Sequence, residues 1–227
     1  GQAFDMKTIT KKAHEYNCVV GFDLAHGAGN LKLNLHGWGV DFAAWCGYKY
    51  LNGGPGAPSG VFIHERHLGK TDIPRFEGWW GHDQSTRFEM LDEFIPIETA
   101  EAWQLSNPPI MAMAPLLASL EIFHEAGMDN LVKKSIQLTD YLEKLILSQL
   151  SSQIEIITPT SPNDRGCQLS LRFIYSIDNI MDQLNDAGII ADWRGPDVIR
   201  IAPVPLYNTF VDCFEFVRRL KSLISEQ

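Results

Sequence analysis

VDFAAWCGYKYLNGGPGAPSG, residues 40–60, runs from an apolar stretch into one rich in glycine and proline, and it sets Lys49 between Tyr48 and Tyr50 at the junction. The apolar part, 40–47, has the length and composition of a buried strand, and the residues after it mark a turn or loop. Lysine is costly to bury, so one held by aromatic neighbours at the edge of a core needs a physical reason. Upstream, CVVGFDL (18–24) is a second short apolar run rich in β-branched residues. Both runs are expected to be buried strands of a sheet covered on both faces. Downstream, GVFIHE (60–65) is expected to return as a neighbouring strand joined by a hairpin. Asp23 closes the first strand and Lys49 lies just past the second. In open α/β sheets the crevice outside strand carboxyl ends receives ligands, so the two residues are expected to face one cavity. A carboxylate and an amine placed in this way have two uses. One is a structural ion pair at the sheet edge. The other is pyridoxal 5'-phosphate, which needs a lysine to hold its aldehyde and an acid to keep its pyridine nitrogen protonated, so that the ring can draw in electrons. Residue types alone leave both open.

Farther out, residues 66–106 have weak periodicity and many aromatics and charges, a character expected of a functional irregular segment. NPPIMAMAPLLASLEIFHEAG (107–127) opens on an Asn-Pro-Pro helix entry and stops at Gly127. The next helix begins at 128, with Asp129 as its expected cap and apolar positions 131, 138, 142, 145 and 146 on one face. The remainder reads strand, strand, helix, strand, strand, helix, which describes a small α+β domain with helices on one side of a mostly antiparallel sheet. The expected organisation is the C-terminal portion of a large mixed-sheet α/β domain over 1–108, then a connecting helix and the small domain over 109–227.

Composition narrows the function. With 45% apolar residues over 227 positions the chain can bury a real core. A net charge of −9 with interspersed signs argues against nucleic acid or an anionic membrane surface as partner and favours a small molecule. No stretch approaches the roughly 18 consecutive apolar residues of a membrane span. Cys18, Cys46, Cys167 and Cys213 form no CxxC pair and are expected as reduced thiols of a cytoplasmic protein. The histidines show neither HxH nor HExxH spacing, so no metal is expected, and HERH (64–67) is expected to end a strand on the surface. GGPGAPSG lacks the GK[ST] ending of a phosphate loop and is taken as the turn after Lys49.

GFDLAHGAGN (21–30), WGVDFAAWCGYKYLNGGPG (38–56), GWWGH (78–82), STRF (85–88), SNPPI (106–110), RGCQLSL (165–171) and DWRGPDVIRIAPVPLYNTF (192–210) occur in the order and approximate spacing of the kynureninases. The chain resembles that family from residue 1 to about residue 217. Kynureninases are pyridoxal-phosphate enzymes of the aspartate aminotransferase fold superfamily. The resemblance implies Lys49 as the covalent anchor of the cofactor, Asp23 as partner of the pyridine nitrogen, and His26 against the cofactor. It also implies Tyr48 as a donor to the phosphate that assists proton transfer. Trp79 and Asn107 would approach the phosphate and substrate region from the neighbouring subunit of a homodimer, and Arg200 would grip the substrate's α-carboxylate, a task suited to a guanidinium fork. The implied reaction is hydrolytic Cβ–Cγ cleavage of L-kynurenine or 3-hydroxykynurenine to an anthranilate and L-alanine, in tryptophan degradation and NAD biosynthesis.

The family's chain is about twice as long, and its preceding half carries the phosphate loop, the ring-stacking aromatic and another acid near the pyridine. The 227 residues alone are therefore expected to be nearly inactive. Two rivals remain: a cysteine desulfurase of the same superfamily, which needs a reactive loop cysteine, and a non-catalytic scaffold that assembles with a partner chain.

Overall fold

The computed structural model describes residues 1–175, 177 and 179–225. They form two compact units, one of Asp5–Gly29 and Leu33–Glu125, the other of Gly1–Phe4, Asn30–Lys32 and the chain from Ala126 on. Along the chain the division falls between Glu125 and Ala126, at the last residue of the helix that follows Pro109.

The first unit opens with α1 (Met6–His14), capped by Asp5, whose carboxylate accepts from the Thr8 N–H at 3.0 Å. Its sheet has three strands, β1 (Gly21–Asp23), β2 (Phe42–Trp45) and β3 (Gly60–Ile63), in that order. β1 and β2 are parallel and β2 and β3 antiparallel, the latter pair joined by the long loop 46–59 instead of a tight hairpin. The register puts Phe22, Ala43 and Phe62 on one face and Asp23, Ala44 and Val61 on the other. Only the first of these faces is covered. Ala43 is fully buried, whereas Phe42 and Val61 are 46% and 47% exposed, so the expectation of cover on both faces is corrected for this unit. Helix α2 (Ile110–Ala126) begins just after the Pro-Pro pair and ends at Gly127 as expected, and its Ser119 Oγ donates to the Leu51 carbonyl at 2.6 Å.

Asp41, inside the apolar run, ties this unit together. It is 5% exposed, and its carboxylate accepts from His14 Nε2 (2.8 Å), the Val20 N–H (2.7 Å), Arg66 Nε (2.9 Å) and His67 Nε2 (2.7 Å). The HERH stretch therefore does not simply end a strand on the surface: His64 is buried, and Arg66 and His67 close on a buried carboxylate. Burial pushes the Asp41 carboxyl up, but the donors from His14, His67 and Val20 and the Arg66 charge outweigh it and hold the group well below the usual carboxylate range. A depressed folded-state value gives stability that is present above the unfolded value of about 3.9 and is lost as pH falls toward the folded one. Asp41→Asn is thus expected to destabilise the protein by about 2 kcal/mol at pH 7. In urea titrations the gap between variant and parent should narrow as pH is lowered below about 4. A gap independent of pH would show that the carboxylate charge is not what stabilises this cluster.

The second unit is built on α3 (Met128–Leu150), whose buried residues Leu131, Leu138, Leu142, Ile146 and Leu150 follow the helical repeat. Gly127, with φ 75°, occupies the cap position. Asp129 is inside the first turn, paired with Lys32 at 2.6 Å, and is not the expected cap. There follow β4 (Ile154–Ile156), β5 (Leu169–Phe173), α4 (Ile180–Asp186), β6 (Asp192–Arg194), β7 (Val198–Ile201) and α5 (Phe210–Ser225). Of the helix expected around 177–188, Asp178 lies outside the described residues. The sheet runs β4-β5-β7-β6 and every pairing is antiparallel. Leu169, Leu171 and Ile199 from the sheet pack with Leu138, Leu142 and Ile146 of α3, Leu184 of α4, and Val217 and Leu220 of α5 in one continuous core. Beside that core the buried Arg165 guanidinium donates to Glu143 (2.6 Å), Asp140 (2.9 Å) and the Pro159 carbonyl (3.1 Å).

Candidate functional site

Parallel pairing of β1 and β2 brings their carboxyl ends to one edge of the sheet, with Asp23 opposite Ala44. The Leu24 N–H donates to the Ala44 carbonyl at 2.8 Å, extending the pairing one residue past Asp23. Asp23 is exposed on the open face. One carboxylate oxygen accepts from the Ala25 N–H at 2.8 Å, which fixes the side chain as the chain turns, and the other makes no hydrogen bond among the described residues.

After β2 the chain makes a small closed hoop. The Gly53 N–H donates to the Gly47 carbonyl (2.9 Å) and the Asn52 N–H to the Lys49 carbonyl (3.0 Å), with Asn52 in the left-handed region at φ 54°. The base of the hoop must be glycine, since a Cβ on Gly47 would come within 2.3 Å of the Pro58 carbonyl oxygen. Tyr48, Lys49 and Tyr50 are at its apex. The loop after β1 abuts this apex: the His26 ring meets Tyr50 edge-on at 5.7 Å, and Gly29, at φ 79°, leaves no room for a side chain against the Tyr50 carbonyl. Asp23, His26, Tyr48 and Lys49 are thus gathered on adjoining loops at one sheet edge.

The structural ion pair allowed by residue types is not formed. Among the described residues the half-buried Lys49 ammonium has no carboxylate within 4.0 Å and no hydrogen bond, and Asp23 is in no ion pair. An amine kept from carboxylates at the mouth of a loop is available to bond a carbonyl carbon. Tyr48 is 53% exposed, and a hydrogen bond with the Cys46 thiol, aided by that group's charge and by partial desolvation, pushes its phenol above the ordinary value. It remains a proton donor at neutral pH, as an anionic ligand would require.

Trp79 belongs to the irregular segment and Asn107 lies just past it, at the entry to α2. Trp79 begins the tight turn Trp79–Gly81 and is 43% exposed; Arg87 of STRF lies 5.6 Å from its ring and 4.6 Å from that of Trp80, and donates to the Trp80 carbonyl at 2.6 Å. Sequence reading missed this clamp, although STRF close behind GWWGH was its signal. Trp79 also walls an open cleft of about 280 Å³ with His82 and Phe94. Asn107 is exposed and its side chain makes no hydrogen bond among the described residues, so it is not the cap of α2.

In the second unit, Arg200 sits on β7 with Ile199 and Ile201 buried on the other face, the alternation expected of it. It is directly opposite Asp192, to which its Nε donates at 2.6 Å.

His36, His64 and Glu65 bring one ligand-type atom each within 4.8 Å of one another. The two rings stack at 4.8 Å and 17°, so their in-plane lone pairs run side by side and do not converge, and His64 Nδ1 already accepts from the Arg66 N–H. The group has the residue types of a metal centre without its geometry.

A family model of the kynureninase C-terminal domain matches residues 131–220. The kynureninase of Koribacter versatilis (strain Ellin345) is 57% identical over 219 residues, covering 96% of this chain and 52% of that one. Along nearly its whole length the chain is similar to kynureninases. It spans about half the length of the curated relatives that it matches. Among solved structures, the apo cysteine desulfurase of Thermococcus onnurineus NA1 superposes with a TM-score of 0.76 at 19% identity, over 98% of this chain and 56% of that one. A structure of C-DES with glycine covalently linked to its PLP cofactor gives 0.68 at 18% identity, over 86% and 49%. At such identities these two show the fold, that of the pyridoxal-phosphate-dependent enzymes of aspartate aminotransferase type.

Proposed function

We propose that the whole protein is a kynureninase, a hydrolase that cleaves the Cβ–Cγ bond of L-kynurenine or 3-hydroxykynurenine to an anthranilate and L-alanine, with pyridoxal 5'-phosphate as cofactor. The observation that carries the reading is the unpaired Lys49 amine on its glycine-closed hoop, beside Asp23 and His26 at the edge where parallel strands end. The donor set fits the cofactor: an amine for its aldehyde, a carboxylate with one oxygen open for the pyridine nitrogen, and a phenol held protonated for the phosphate. When bound, the cofactor supplies an electron sink for negative charge at the substrate's α-carbon.

Within that frame Lys49 Nζ would hold the cofactor, and the same amine would be the base for the proton on the substrate's Cα. The Asp23 carboxylate would pair with the pyridine nitrogen and favour its protonated form. The Tyr48 hydroxyl would donate to the phosphate and assist proton transfers, and His26 would lie against the ring. Arg200 pairs with the substrate α-carboxylate through two parallel hydrogen bonds, fixing which Cα bond is broken. Trp79 and Asn107 serve the site of a neighbouring subunit in a homodimer. A cytoplasmic role in tryptophan degradation and NAD biosynthesis accompanies this activity.

A desulfurase needs an accessible, ionisable thiol. Cys167 and Cys213 are buried, and burial pushes the Cys213 thiol up to about 11, whereas Cys18 is exposed and Cys46 half-buried, so turnover of cysteine is what separates the two activities. Full-length protein loaded with pyridoxal phosphate is expected to release anthranilate and alanine from L-kynurenine, and no sulfide from L-cysteine. Sulfide release without anthranilate would replace this reading with the desulfurase one, and inertness toward both would favour the scaffold.

A further inference from the structure

Asp192 and Arg200 face each other across the antiparallel pair of β6 and β7. Both Nε (2.6 Å) and Nη2 of Arg200 donate to the same carboxylate oxygen, Oδ2. That contact occupies the side edge of the guanidinium. The end edge, formed by Nη1 and the second N–H of Nη2, meets no acceptor among the described residues, although it is the edge best shaped for a carboxylate approaching head-on. A second guanidinium, that of Arg194, reaches the same Oδ2 at 3.1 Å. Two cations therefore share one anion and the trio keeps one positive charge in excess. The nearby acid Asp197 is turned to Arg172 at 3.6 Å and does not cancel that charge.

We infer that Asp192 is a positioning residue for Arg200: it clamps the side edge of the guanidinium so that the end edge is presented, already oriented, to the α-carboxylate of an amino-acid ligand. This rests on the carboxylate-binding role proposed above for Arg200. Asp192 orients without competing, since the two carboxylates use different edges of one planar fork. Arg194, at 3.1 Å from the same oxygen, leaves the trio with the charge that an incoming anion neutralises. Without Asp192 the long arginine side chain would regain rotamers that binding must then freeze out.

The test is a double-mutant cycle in the full-length, cofactor-loaded protein, with calorimetric Kd for L-alanine as readout and thermal midpoints as a control for folding. Asp192→Asn is expected to weaken L-alanine about tenfold, the loss of roughly one oriented charge-assisted contact, and to raise KM for kynurenine similarly while kcat changes less than about twofold. Arg200→Ala should weaken L-alanine more, and adding Asp192→Asn to it should cost nothing further. Asp192→Ser serves as a second variant should the first fail to fold. If Arg200→Ala leaves the alanine affinity intact, the carboxylate role of Arg200 fails and the clamp fails with it. If Arg200→Ala weakens binding but Asp192→Asn does not, or tightens it, or costs as much in the Arg200→Ala background, the clamp is overturned while the role of Arg200 stands.

Discussion

Replacing Lys49 by alanine in the full-length protein is expected to abolish the cofactor's lysine-bound absorbance band and to lower kcat for kynurenine by about 10³-fold or more. One side chain is assigned two tasks, holding the cofactor and moving the Cα proton, and general-base catalysis alone is worth about 10² to 10⁴. Lys49→Arg should fare no better, because a guanidinium remains charged at any working pH and cannot take up either task. Overall stability should hardly change. The ammonium has no partner among the described residues to lose, and the hoop is closed by main-chain hydrogen bonds that do not involve the side chain. A variant that kept the absorbance band would place the anchor elsewhere and remove the basis of the proposed function. Intact stability in an inert variant, measured by urea unfolding, separates a chemical loss from a folding defect.

The largest stability effect is expected at Arg165, far in kind from any catalytic task. Its side chain is 2% exposed and ties Glu143, 11% exposed, and the more open Asp140, both on α3, to the loop before β5. Truncation to alanine strands a carboxylate in a largely dry place and also unpairs the Pro159 carbonyl. Breaking one side of a buried pair costs about 3–5 kcal/mol, well above the value of exposed pairs. Arg165→Ala should therefore lower the urea midpoint strongly. Arg165→Ala combined with Glu143→Leu should recover a good part of the loss, because no orphaned charge remains. If the double variant is no better than the single one, the cost lies in the lost packing of the arginine stem and not in the stranded charge.

Much of the second unit was legible in the chain. The apolar repeat of α3 and the alternation of Leu169, Leu171 and Phe173 are local patterns, and local patterns survive in a single sequence. The Lys49 neighbourhood was legible for another reason: glycines at 47 and 53 and the asparagine at 52 are required by the hoop's geometry, so the loop's shape is written in its composition. What escaped depended on distant partners. Nothing near Asp41 in sequence announces His14, Arg66 and His67, though an acid set inside an apolar run already signalled a buried, satisfied carboxylate. The Asp192–Arg200 pair depends on the β6–β7 register, which a hydrophobic pattern constrains by face and not by partner.

The glycine-closed hoop has a consequence for affinity. Its backbone is set by Gly53 and Asn52 donating inward and by the Pro58 carbonyl pressing on Gly47, all before any small molecule arrives. The freedom surrendered in shaping that loop is lost on folding, where a whole core offsets it, and would not have to be lost again on capture of the proposed cofactor. Mutational tolerance should accordingly be lopsided: side chains at the apex can be exchanged at the expense of chemistry alone, while a single methyl group at the foot would deform the seat itself.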